Sequence, residues 1–207
     1  TDPVCRGRTP AARRRRTGGL RVASAGRTGH PQGVISDQAT KRLLLLRHAK
    51  AEQTFGVLDH ERELTDRGRR DAHAVGEWLA AQEIDADLVI CSTALRTRQT
   101  WDHVAAGGAR AEAITFDSAI YHGGPTGVLQ ALVEGAGTAA TVVIVGHAPT
   151  MPMLAEALTA GRGSAQAHSE LAAGFPTTGL AVLRYAGHWA DLGQGTAELE
   201  AFFIGRG

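Results

Sequence analysis

The chain has 207 residues, enough for one domain with a sizeable core, and its 43% apolar content is ordinary for a globular protein. No apolar run approaches the roughly 20 residues of a membrane-spanning helix, and two cysteines, Cys5 and Cys91, are too few for a disulfide framework and form no CxxC pair. The net charge of +1 conceals an asymmetry: residues 1–40 carry 8 Lys and Arg against 2 acids, residues 41–207 carry 14 against 19, so the second part is mildly acidic and offers no basic face for nucleic acid.

The first forty residues read as a separate segment, a basic N-terminal extension ahead of a domain at 41–207. They hold RRRR (Arg13–Arg16), many Gly, Thr and Pro, and no aromatic residue. That composition buries too little apolar surface to offset the entropy of ordering, and predicts disorder. Three explanations stand: an Arg-rich transit segment, though amphipathic periodicity is weak; a basic arm for nucleic acid or anionic lipid; and, favoured here, an extension without function, such as an overlong gene prediction. A secretory signal does not fit, because no apolar core follows the arginines. With so few cysteines, a cytoplasmic setting is the default.

Strand and helix signals then alternate. Arg42–Leu46 is too short for a helix and reads as a buried strand. Thr65 can cap a helix over 66–82, where Ala72, Val75 and Leu79 recur at helical spacing. Leu88–Cys91 is a second buried strand, with Ser92 and Thr93 as cap candidates for a helix over 94–106. Ala113–Phe116 predicts a third strand, Thr126–Glu134 a helix, and Thr141–Val145 a β-branched strand followed by Gly146, His147 and a helix over 150–160. Residues 161–178 are rich in Gly, Ser and Ala and read as a loop; Leu180–Tyr185 and Glu198–Ile204 read as late strands. The order predicts an α/β three-layer sandwich, a mostly parallel central sheet with helices on both faces. Ligands of such sheets bind beyond the carboxyl ends of the strands.

Three apolar strands end in chemistry. LLLL runs into Arg47 and His48, TVVIVG runs into His147, and LVICSTALR carries Arg96 into the first turn of a helix. No carboxylate is expected among these cations, and such a cluster is costly unless an anion completes it. Guanidinium forks and helix N-termini suit a phosphoryl dianion. Each residue alone has a plainer reading: a turn histidine, a solvated Arg96, an Arg47 paired with Glu61 or Glu63.

LRHAK, CSTALRTRQT and VIVGHAP, in this order and each after an apolar strand, resemble the histidine phosphatase superfamily with its phosphoglycerate-mutase-like fold. HERELTDRG (His60–Gly68) and FPTTGLAVL (Phe175–Leu183) resemble its small SixA-like branch, known for phosphohistidine phosphatases. The resemblance spans about residues 41–205. It implies that His48 is the nucleophile and that Arg47, Arg96 and His147 clamp the phosphoryl oxygens. It also implies that neighbouring cations keep His48 neutral, that a carbonyl holds its other ring nitrogen as N–H, and that no cofactor or metal is needed.

Larger members of the family place an acid after the third strand, where this chain reads Ile120-Tyr121-His122-Gly123-Gly124. An alkoxide leaving group needs that acid, since its conjugate acid resembles water at a pKa of about 15.7. An imidazole, with a pKa of about 6.5, needs it less. His122 is a stand-in candidate and a substrate-binding one; Glu52 and Asp59 are others. The expected activity is a metal-independent phosphatase acting on a phosphorylated protein, through phosphohistidine. The alternatives are a small-phosphoester phosphatase or mutase of the same fold and a non-catalytic phosphate-binding module. Oligomeric state is not legible in the sequence.

The remaining signals carry less. Gly135–Ala140 fits GxGxxA but lies between a helix and a strand, the reverse of a dinucleotide site. His60, His73, His103, His168 and His188 show no metal-ligand spacing, and Trp78, Trp101, Trp189 and Cys91 read as packing residues.

Overall fold

The computed structural model describes residues 40–53 and 55–207. The basic segment therefore lies, except for Thr40, outside the described residues. The strands are β1 (Thr40–Arg47), β2 (Ala86–Ser92), β3 (Ala111–Asp117), β4 (Thr141–Gly146), β5 (Gly179–Ala186) and β6 (Glu198–Ile204). The helices are α1 (Asp66–Ala81), α2 (Leu95–Ala106), α3 (Ala119–His122), α4 (Gly124–Ala136), α5 (Thr150–Thr159) and α6 (Ala165–Ala173), with short 3-10 turns at Asp59–Glu61 and Trp189–Asp191.

One sheet runs in the order β3-β2-β4-β1-β5-β6. β1 pairs parallel with β4, and β2 parallel with both β4 and β3. Only β5 runs against its neighbours β1 and β6. Leu43–Leu46 of β1 are fully buried because the strand is covered on both faces. Leu43 and Leu45 join the core under α3, α4, α5 and α6, whereas Leu44 and Leu46 join the core under α1 and α2. The four consecutive leucines are thus one central strand feeding two cores, and the three-layer α/β architecture is as expected. Trp78 stacks on Phe203 at 4.9 Å, and Trp101 and Trp189 are buried in the cores. Burial pushes the Cys91 thiol up to about 12.

Chain order decides where the site lies. From β1 the chain crosses to β2, moves outward to β3, then returns to insert β4 between β2 and β1. The carboxyl ends of β2, β4 and β1 therefore lie side by side.

Two local expectations need correction. Residues 161–178 are not all loop: α6 forms there, and the Ser164 hydroxyl caps it by accepting from the Ala167 amide. Its helix-forming alanines are outweighed in the sequence by flanking Gly and Ser, and it buries only Ala167 and Leu171. The N-cap of α2 is Ala94, with no side-chain cap, rather than Ser92 or Thr93. Thr65 does cap α1, through the Gly68 amide at 2.9 Å.

Candidate active site

Arg47 is the last residue of β1, and His48 follows as the chain leaves the sheet, its amide still donating to the Gly146 carbonyl at 2.9 Å. The His48 ring lies within 2.8 Å of the Ala49 carbonyl through Nδ1. A carbonyl oxygen only accepts, so Nδ1 carries the hydrogen and Nε2 is bare. The imidazole pKa is lowered from 6.5 to about 4, first by burial, against a contribution from the Ala49 hydrogen bond, and then by the charges of Arg96, Arg47 and Arg62. Burial thus outranks the neighbouring cations as the reason the ring is neutral.

Ala49 is itself pinned. Its amide donates to Thr100 Oγ1 at 2.9 Å, and that hydroxyl donates to the Arg96 carbonyl at 2.6 Å. Thr100 is fully buried, so this one side chain couples the His48 loop to the first turn of α2. It lies four residues after Arg96, one helical turn, in the same motif that carries the arginine.

Arg96 is 6% exposed, not a solvated surface residue. Its Nη1 donates to the Asp59 carbonyl at 2.5 Å and its Nη2 to Asp59 Oδ2 at 3.0 Å. A carboxylate therefore does sit among the cations, contrary to expectation. Strand-end spacing could not reveal it, because Asp59 comes from the loop between β1 and α1. Nη2 also lies 3.3 Å from His147 Nδ1, which must accept; His147 Nε2 then donates to Ser92 Oγ at 2.8 Å. The His147 pKa falls from 6.5 to about 3, through burial first and then His48 and Arg96. The His48 and His147 rings are 5.2 Å apart. Arg47 pairs with neither Glu61 nor Glu63; its Nη1 donates to the Phe175 carbonyl at 2.7 Å. Burial lowers its pKa. The Nε–H groups of Arg47 and Arg96 are buried and find no hydrogen-bond partner among the described residues.

Asp59 is tied further by Tyr121, whose hydroxyl donates to Oδ2 at 2.5 Å, and by Arg62, whose Nη1 donates to Oδ1 at 2.9 Å. The Tyr121 hydroxyl, then Arg62, then Arg96 hold the Asp59 carboxyl well below the usual carboxylate range. The Tyr121 ring stands edge-on to His147 at 5.2 Å, forming one wall of the site. His122 is exposed and touches this assembly through the Tyr121 ring, at 4.4 Å, with no hydrogen bond of its own to the cluster. The structure thus gathers Arg47, His48, Arg96 and His147 and leaves His122 at the rim. Tyr121, Ser92, Thr100 and Arg62 escaped sequence reasoning. Ser92 carried only a capping signal, and Tyr121 stood in a stretch read for its missing carboxylate.

Known proteins resemble this chain in sequence and in fold. Residues 43–118 match the model of the histidine phosphatase superfamily, branch 1. An uncharacterized protein of Mycobacterium tuberculosis is 40% identical over 162 residues, 78% of this chain and 100% of that one. A structure of the candidate phosphohistidine phosphatase SixA from Nakamurella multipartitia is 36% identical, with a TM-score of 0.69, over 80% of this chain and 96% of that one. The corresponding SixA structure from Agrobacterium tumefaciens is 31% identical, with a TM-score of 0.63, over 79% of this chain and 98% of that one. With the strand-end histidines and arginines in place and two SixA structures as neighbours, the chain belongs to the histidine phosphatase superfamily.

Proposed function

We propose that the protein is a phosphatase that forms a phosphohistidine on His48 Nε2 and acts on protein phosphohistidine. The observation that carries this reading is the bare Nε2 of a neutral, oriented His48, set beside the half-buried Arg47 and the buried Arg96. Guanidinium forks suit phosphoryl oxygens.

In the first step, Nε2 attacks phosphorus and forms an N–P bond. The bond to the leaving group breaks, and its electron pair leaves with that group. Arg47 and Arg96 stabilise the charge on the transferring oxygens. His147 joins them by exchanging its Ser92 partner for a phosphoryl oxygen. Nδ1–H remains on the Ala49 carbonyl, so His48 never needs a second proton. Water then attacks phosphorus, the electron pair returns to Nε2, and phosphate departs.

The leaving group points to the substrate class. Asp59 is ionised and has no proton to give, and His122 stands at the rim. A site without a proton donor favours imidazole over alkoxide as leaving group. The SixA neighbours, candidates for the same activity, support this reading.

The test is to quench turnover of a phosphohistidine-bearing protein and map acid-labile phosphate by mass spectrometry. The label should lie on His48 and vanish in His48→Ala. A label that survives in that variant would overturn the mechanism. Phosphate binding without turnover would make the protein a binding module, and equal rates on alkyl phosphates would make it a small-phosphoester phosphatase.

A further inference from the structure

Arg96 reaches the site with its fork already engaged. Asp59 gives it a carbonyl and a carboxylate oxygen, at 2.5 and 3.0 Å. The two partners differ in freedom. The Arg96 side chain is 7% exposed and that of Asp59 54%. Asp59 begins a three-residue 3-10 turn with no buried residue, and the preceding Phe55, Val57 and Leu58 are exposed apolar side chains. The arginine is buried, and the carboxylate is the more exposed member of the pair.

The Asp59 carboxylate and a phosphoryl oxygen are both acceptors for Arg96 Nη2, so they compete for it. Charge decides the contest. Arg47, Arg62 and Arg96 are cationic, His48 and His147 are neutral, and Asp59 cancels one charge. A dianion gains more from these cations than the single charge it displaces. A monoanion gains no more than Asp59 does. Once displaced, Asp59 keeps Arg62 and Tyr121 as partners, so its departure strands no charge.

We propose that Asp59 is a specificity-determining residue: it occupies the Arg96 fork as a built-in competitor, which a phosphoryl dianion displaces and a singly charged group does not. This rests on the reading of Arg96 as a phosphoryl clamp. Asp59 is then neither a general acid nor a fixed support for Arg96, and it narrows the site to terminal phosphoryl groups.

The test compares binding of orthovanadate and of methyl sulfate to the full chain and to Asp59→Asn by calorimetry in alkaline buffer, where orthovanadate is a dianion and methyl sulfate a monoanion. The variant should bind vanadate about fivefold more tightly, the factor a half-exposed ion pair can supply, and its preference for vanadate over methyl sulfate should narrow. A crystal structure of the wild-type vanadate complex should show Arg96 Nη2 on a vanadate oxygen and Asp59 Oδ2 beyond hydrogen-bond distance. Weaker or unchanged binding in the variant, or a vanadate complex with the Asp59–Arg96 pair intact, overturns the proposal. If the variant fails to fold, the wild-type complex decides. Failure of wild type and variant alike to bind vanadate would refute the clamp itself; binding by wild type without tightening in the variant refutes only the competitor.

Discussion

Acid should unfold this protein partly through His48, and the size of that effect follows from the structure. Burial makes the charged imidazole unfavourable in the native state, where its pKa is about 4, against 6.5 for the exposed ring. The unfolded chain therefore takes up a proton first as pH falls. The stability linked to His48 is complete above the unfolded value and is lost progressively as pH drops toward the folded one. Between about pH 7.5 and about pH 5 the loss from this residue amounts to about 2 kcal/mol. His48→Asn keeps a donor for the Ala49 carbonyl but does not titrate. Its stability should fall less over that range, by about 2 kcal/mol, in urea denaturation at a series of pH values. His147 is shifted in the same direction and remains in the variant, so a residual slope is expected. Parallel pH curves for wild type and variant, or a wild type that gains stability toward pH 5, would refute burial as the cause of the neutral ring.

Other consequences are open to test. Thr100→Val keeps the shape of a fully buried side chain but orphans the Ala49 amide, so chemical denaturation should report a loss of about 2 kcal/mol. The same variant should lower kcat on the order of tenfold, because the carbonyl that orients His48 is no longer held. A Cβ at Gly68 would meet the Lys50 carbonyl, so Gly68→Ala should cost about 2 kcal/mol in denaturant melts by forcing α1 off the loop that follows His48. His122→Ala should leave kcat/KM within about twofold of wild type, since the ring is exposed and makes no hydrogen bond to the cluster; a tenfold loss would place it in the reaction after all.

The sequence itself determined the strands that deliver the chemistry. Apolar runs ending in RH, STALR and GH read as buried strands leaving a sheet, and β1, β2 and β4 are such strands. Local patterning succeeds there because each signal lies within a few residues of the group it positions. It failed where the partner is remote in the chain. Asp59 meets Arg96 across 37 residues and Tyr121 across 62, and Ser92 turns its hydroxyl to His147 across 55. It also failed where composition was weak, as in α6. The strand order β2-β4-β1 brings these segments to one edge, and packing leaves Arg96 buried while Asp59 stays half-exposed. Which cation is already satisfied, and by what, was therefore decided by the tertiary structure alone, because ion pairing depends on distance in space and not on distance along the chain.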